Sequence, residues 1–385
     1  MEQVIKVRLY PTTEQAGFLN RQFGCVRLIY NKALGIINHQ YKVHGRGLSA
    51  KHDIKKLLPI AKKNNRYSFL KECDSLALQQ SCNNLDKAFK KFFEKKAGYP
   101  KFKKKQSRQS SYHINVSVHQ TENRKRGYIK IPKLSTPIKA VLHRRIPEGK
   151  IKSATLSKDP SGKYYASMIF SVERVLKAPS QSFKENQITG IDMGLKDLLI
   201  TSKNQKIANP RFYVKALKEL RRKQKALSRC VKGSRGYEAT RIKVAKCHEK
   251  VRKAREDLQH KISLQLVNEN QVIVVETLKV KNMIKNRRLA KHIADASWSK
   301  LITKLEYKAK LYGKKVIKID QWFPSSKTCS CCGYERKSLP LQVRFWTCPE
   351  CKTDLDRDIN ASVNIKKQGI IMLKAEGLSV SANGV

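Results

Sequence analysis

At 385 residues the chain is long enough for two to four domains with cores of their own. With 82 Lys and Arg against 30 Asp and Glu, its formal net charge is +52, spread along the length; self-repulsion on that scale calls for a polyanionic partner, nucleic acid above all. There is no long apolar run, signal-like start, lipidation motif, Walker loop, dinucleotide fingerprint or Ser/His/Asp arrangement, which argues against a membrane protein and against ATP-driven or hydride chemistry.

In chain order, residues 4–10 alternate Val4, Lys6 and Arg8 with Ile5, Val7 and Leu9 and predict an opening strand. Pro11 ends it, and Thr12 with Gln15 has the form of a capping box. Phe18, Leu19, Phe23, Val26, Ile29, Tyr30, Ala33, Leu34 and Ile37 then recur at helical spacing up to a break at residues 44–47. A second helical stretch follows the break, and a third, 76–93, sets Leu78, Cys82, Leu85, Phe89 and Phe92 on one face. Its amide-rich remainder, with Gln79 and Gln80, suits either reading of base edges or a plain solvated face. The segment GYPKFKKK, with Lys101, Phe102 and Lys103, mixes aromatic and basic residues as stacking and phosphate contacts require.

Short strands follow at 114–118, 128–131, 138–143, 150–156 and 164–172, separated by turn signals at 122–127 and 159–162 and predicting a small antiparallel β-barrel. Residues 176–187 read as a linker. The next strand, 188–194, carries Asp192 between two glycines, and a second lies around 198–201. A long helical hairpin spans 212–266, turning at 232–236, with Val251, Ala254, Leu258 and Ile262 inward. Val272–Val275 is a run of four β-branched residues ending in Glu276, as a buried parallel strand should be, with its acid at the end where open α/β sheets place sites. A helix over 297–312 and a strand over 315–319 follow.

Two Cys-x-x-Cys pairs, Cys329/Cys332 and Cys348/Cys351, have the spacing of a four-thiolate zinc ribbon. A small hairpin is expected between them, running to Phe345 and Trp346, and Cys331 is surplus. The remaining five cysteines are scattered and fit a reducing compartment. Arg344 faces either a phosphate or the ribbon's own backbone. The acid-rich run from Asp354 to Asp358 opens a last helix whose face combines Asp358 with Ala361, Ser362 and Ile365. Asp356 and Asp358 lie two apart on that helix and face different ways; Asp358 is chosen as the site acid and Asp356 is assigned to the helix start. Asp197, Asp295 and Asp320 are read as a turn acid, a helix cap and a strand-end charge.

The motifs VRLYPTTEQ, FGCVRLIYNKAL, GYPKFKKK, GIDMGLKD, VVETLKVKNM, SSKTCSCCG and DRDINASVNI, in this order over nearly the whole chain, resemble those of the TnpB (OrfB) family of transposon-encoded, RNA-guided nucleases, relatives of type V CRISPR effectors. The resemblance implies an α+β multidomain architecture. In it an antiparallel β-barrel, the wedge, is formed by 1–10 and 111–178, with a helical recognition insertion at 11–110. An RNase H-like (RuvC) nuclease domain is split between 187–323 and 355–372 by a zinc ribbon at 324–354, and 373–385 is a tail. Asp192, Glu276 and Asp358 then form a carboxylate triad for Mg²⁺, hard oxygen ligands suited to phosphodiester cleavage, and Zn²⁺ is structural. The implied partners are a guide RNA from the transposon end and double-stranded target DNA recognised beside a short motif, in a prokaryotic cytoplasm at the nucleoid. A silent RNA-guided repressor and a strand-transferring transposase are the competing readings; the three intact acids and the ribbon just before DRDIN favour the nuclease. Met193 after the first acid, the extra Cys331 and Lys352 at a position where glycine is common depart from the family pattern, as does a short tail after Ile365.

Overall fold

A computed structural model describes residues 2–105, 110–120, 126–173, 178 and 180–382. The chain divides into two compact units, residues 1–174 and 175–385. In unit 1, strand β1 (Glu2–Tyr10) leads into helix α1 (Thr13–His44), short α2 (Leu58–Lys63) and α3 (Ser75–Phe93). Strands β2 (Ser110–Ile114), β3 (Ser117–Gln120), β4 (Arg126–Lys130), β5 (Ile138–Val141), β6 (Lys150–Lys158) and β7 (Tyr164–Ser171) complete it. The expected capping box at Thr12 and Gln15 is present, and α1 stops at Gly45, whose φ of 64° a glycine adopts without strain.

All seven strands form one antiparallel sheet in the order β2-β6-β7-β1-β5-β4-β3, so the opening strand lies at its centre. Ile5, Val7 and Leu9 face the core, and the basic residues between them face out. The single strand expected at 114–118 is two strands, β2 and β3, at opposite edges of the sheet. Only residues 115 and 116 separate them, a reach of at most about 11 Å. The sheet must therefore curl until its edges approach, which is the part of the barrel reading that the connectivity carries. The turn expected at 122–127 falls largely outside the described residues.

Unit 2 holds β8 (Ser182–Lys184), β9 (Ile188–Asp192), β10 (Asp197–Thr201), β11 (Lys206–Ala208), α4 (Phe212–Ser228), α5 (Arg235–Glu269) and β12 (Val272–Glu276). Then come α6 (Val280–Met283), α7 (Ala290–Ala296), α8 (Trp298–Tyr312), β13 (Lys315–Ile319), β14 (Phe345–Thr347), β15 (Asp354–Asp356), α9 (Arg357–Ala375) and β16 (Ser379–Ser381). The main sheet runs β11-β10-β9-β12-β13, with β9, β12 and β13 parallel. Val272, Ile273, Val274 and Val275 are buried to 1% exposure or less, as a strand covered on both faces demands. Two expectations need correction. Within the stretch read as a linker, β8 pairs in parallel with β16 from the expected tail, and Phe183 of β8 is buried in one cluster with Leu373 and Ile188. The expected hairpin lies around the second Cys pair, between β14 and β15, because Trp346 and Leu355 pack there with Cys329, Leu339 and Cys348 in a small core of their own.

Helix α9 lies flush on the parallel strands. A Cβ added to Gly190 in β9 would sit 2.1 Å from the Ser362 carbonyl oxygen and 2.5 Å from the Lys366 nitrogen, and one on Gly369 of α9 would sit 2.3 Å from Val274 Cγ2. Both glycines are there because no side chain fits the gap. Gly190→Ala is expected to destabilise unit 2 by about 3 kcal/mol or more, since a backbone must move. Gly24→Ala in α1, where a Cβ would meet nothing within 4 Å, should stabilise by about 0.5–1 kcal/mol. Urea denaturation of the two variants checks both signs.

Candidate functional site

Asp192 is the last residue of β9 and Glu276 the last of β12. In the parallel register Val275 stands opposite Ile191, so the two acids follow side by side on strands about 4.8 Å apart. Asp358 sits in the first turn of α9, one helical turn before Ser362, which is the residue touching Gly190. One turn of helix rises about 5.4 Å and two residues of strand about 6.6 Å. The close approach at Gly190 thus carries Asp358 to the same sheet edge as Asp192.

The electrostatics agree. Burial pushes the Asp192 carboxyl up to about 7, and the Glu276 and Asp358 charges add to the rise, while Arg357 and the Met193 amide oppose it. Burial also raises Glu276, offset in part by the Ser325 hydroxyl, which donates to Oε1 at 2.6 Å. Asp358 is met by Arg344, whose Nη1 lies 3.2 and 3.3 Å from its two oxygens. Arg344 thus reaches an acid of the site, while its carbonyl accepts from the Arg357 amide at 2.8 Å.

Asp356 is the N-cap of α9, accepting from the amides of Asp358 at 3.0 Å and Ile359 at 3.2 Å, and it pairs with Lys206 at 2.6 Å. Burial works against its charge, but these hydrogen bonds outweigh it and hold the carboxyl below its usual range. Asp295 caps a helix from a distance. Nearly buried in α7, it accepts from the Tyr213 amide at the start of α4 and pairs with Arg255 at 2.7 Å.

The four ribbon cysteines, Cys329, Cys332, Cys348 and Cys351, bring their sulfurs within 4.8 Å of one another. Cys329–Cys351 and Cys332–Cys348 are each 3.6 Å apart, close to the roughly 3.8 Å edge of a tetrahedron with Zn–S near 2.3 Å. Each pair sits on a knuckle closed by an amide, Gly333 to the Cys329 carbonyl and Lys352 to the Cys348 carbonyl, both at 3.0 Å. Gly333 has φ 83° and Lys352 φ 58°, so the second knuckle carries a lysine in the left-handed region that glycine usually fills. Cys331 is exposed and outside the cluster.

Asn360 and Asn364, which the sequence reading passes over, join this cluster to α9. Asn360 accepts from the Ser330 amide and donates to the Thr328 carbonyl, both at 2.7 Å; Asn364 donates to Ser325 and Thr328 carbonyls at 2.8 and 2.6 Å. Both are buried, and an amide side chain on a buried helix face one turn from an acid was the signal available.

In unit 1, Gln79 and Gln80 are half-buried on α3, and Gln80 Oε1 accepts from Asn83 at 3.1 Å. Lys101 and Phe102 are exposed. Lys103 is held by reciprocal bonds with the Asn31 side chain, and its Nζ lies 3.8 Å from the centre of the Tyr30 ring.

Family models match three stretches: an OrfB IS605 helix-turn-helix domain over residues 1–46, an OrfB IS605 family described as probable transposase over 170–287, and the Cas12f1-like TNB domain over 298–365. The first of these stretches holds one strand and one uninterrupted helix. A Streptomyces pristinaespiralis protein named as a candidate RNA-guided DNA endonuclease is 38% identical over 371 residues, covering 96% of this chain and 90% of its own length. Escherichia coli K12 InsQ, named likewise, is 28% identical over 387 residues, covering 96% and 93%. In fold, the chain resembles Cas12f1 as seen in a cryo-EM complex with sgRNA and target DNA, with a TM-score of 0.59 at 15% identity over 92% of this chain and 83% of that one.

Because the folded Asp192 carboxyl titrates near 7 and an unfolded one near 3.8, the folded protein holds the extra proton in between. The contribution of Asp192 to metal-free stability therefore falls as pH rises from about 4 to about 7. Asp192→Asn is expected to raise metal-free stability by about 2–4 kcal/mol at pH 8 and by nothing measurable near pH 4. Urea denaturation at the two pH values in the presence of EDTA measures it.

Proposed function

The chain belongs to the TnpB-like, OrfB IS605 family, and from that premise we propose that it is an RNA-guided DNA endonuclease of a transposable element, cutting target DNA beside a short motif. What supports the reading most is that Asp192 and Glu276 end neighbouring parallel strands and that the Asp358 charge acts on Asp192, on a sheet of strand order 3-2-1-4-5 that would suit an RNase H-like (RuvC) domain.

Three carboxylates, of which Asp192 is raised by burial and then by the Glu276 and Asp358 charges, are a donor set suited to hard divalent cations. Asp192, Glu276 and Asp358 would hold Mg²⁺, which when bound activates a water and stabilises the leaving oxygen of a phosphodiester. The chain's own part is to orient these acids: Asp356 caps α9 so that Asp358 faces the sheet edge, and Ser325 holds Glu276. Arg344, beside Asp358 and half exposed, would contact the phosphate brought there, giving up its ion pair to do so. Cys329, Cys332, Cys348 and Cys351 would hold one structural Zn²⁺, for which the 3.6 Å sulfur separations are fitting.

The charge of +52 would be neutralised by guide RNA, taken to come from the transposon end, and by double-stranded target DNA, giving binding a steep salt dependence. Base pairing would read the target. Gln79 and Gln80 would read the adjacent motif, and Lys101, Phe102 and Lys103 would line RNA by stacking and phosphate contact. Among the described residues no helix is long and apolar enough to cross a membrane, in keeping with work at the nucleoid.

The protein co-expressed with its native downstream locus, and offered plasmids with a guide-matched target and randomised flanks, is expected to cut next to one motif. Cutting should stop with EDTA and fall by about 10³-fold or more in Asp192→Ala. Copurified RNA together with motif-specific binding but no cutting would contradict the nuclease and favour a repressor.

A further inference from the structure

Ser325 makes two contacts that lead in different directions. Its hydroxyl donates to Glu276 Oε1 at 2.6 Å, and its carbonyl accepts from Asn364 on α9 at 2.8 Å. The residue is 6% exposed and stands four positions before Cys329. The chain between them has no slack: the amides of Lys327 and Thr328 return to the Pro324 carbonyl at 3.0 and 3.1 Å, and the Thr328 hydroxyl donates to the same oxygen at 3.0 Å. The Thr328 carbonyl is clamped in turn by the Asn360 and Asn364 amides, and Cys329 is bound into the knuckle through its amide to the Tyr334 carbonyl at 2.8 Å.

A glutamate at a strand end has three rotatable side-chain bonds, and burial of its stem does not choose the direction of its carboxylate. Among the described residues Ser325 is the hydrogen-bond partner of the Glu276 carboxylate. We propose that Ser325 is the positioning residue for Glu276, and that the four-cysteine cluster sets the orientation of that carboxylate through the strap Ser325–Cys329. On this account the ribbon does more than fill an insertion, because its closure is felt at the acid of β12. The inference rests on Glu276 being a ligand of the divalent cation; outer partners of such ligands are worth about 10–100-fold in metal affinity.

The test is a Mn²⁺ titration followed by electron paramagnetic resonance on the full-length protein, comparing wild type, Ser325→Ala, Ser325→Thr, Glu276→Gln and wild type stripped of zinc. Ser325→Ala and zinc removal should each weaken Mn²⁺ binding about 10–100-fold. Zinc removal from Ser325→Ala should add little, since both act on one contact, and Ser325→Thr, which keeps the hydroxyl, should stay near wild type. Should Ser325→Ala fail to fold by circular dichroism, the zinc-stripped wild type carries the same two outcomes. Mn²⁺ binding within about twofold of wild type in Ser325→Ala and after zinc removal, with an ion lost in Glu276→Gln, overturns the strap and leaves the carboxylate site standing. Binding that Glu276→Gln leaves unchanged overturns both.

Discussion

The approach of helix α9 to the parallel strands is the constraint on which the rest of unit 2 depends. Without Gly190 the helix backbone could not touch β9, and without Gly369 it could not lie against Val274. Two missing side chains therefore decide where Asp358 stands, because a helix held at Ser362 has its first turn above the end of β9. The same helix carries Asn360 and Asn364, so the ribbon is attached to the element that the glycines place. Sheet edge, third acid and four-cysteine cluster share one mechanical frame.

That frame holds an electrostatic conflict. Burial first, and the Glu276 and Asp358 charges after it, push the Asp192 carboxyl up to about 7 in the protein by itself. Arg344 pairs with Asp358 and Ser325 donates to Glu276, whereas Asp192 carries the raised carboxyl. Local stability given up at a cluster of acids is common where function needs the charge. Across the rest of the chain the imbalance is reversed, and the acidic edge stands out against a strongly basic background.

Much of this was legible in the sequence because each feature has its own local signal. The β-branched run at Val272–Val275, the capping box at Thr12 and the paired Cys-x-x-Cys motifs need only neighbours in the chain to be read. What escaped depends on partners far apart. The strand at Ser182–Lys184 is too short and polar to show by pattern, and it exists because Ser379–Ser381 lies beside it. The break between β2 and β3 follows from the curl of the whole sheet. Ser325 looks like an ordinary loop serine until Glu276 is brought to it from 49 residues away, and Asp295, legible only as a helix cap, caps α4 through an amide 82 residues before it.

The most direct test of the central claim is anomalous diffraction at the manganese edge from a crystal soaked in Mn²⁺. The account predicts two peaks about 4 Å apart between Asp192, Glu276 and Asp358, with Arg344 displaced from the Asp358 carboxylate. A soaked crystal in which these three carboxylates hold no manganese, with Arg344 still on Asp358, would contradict it.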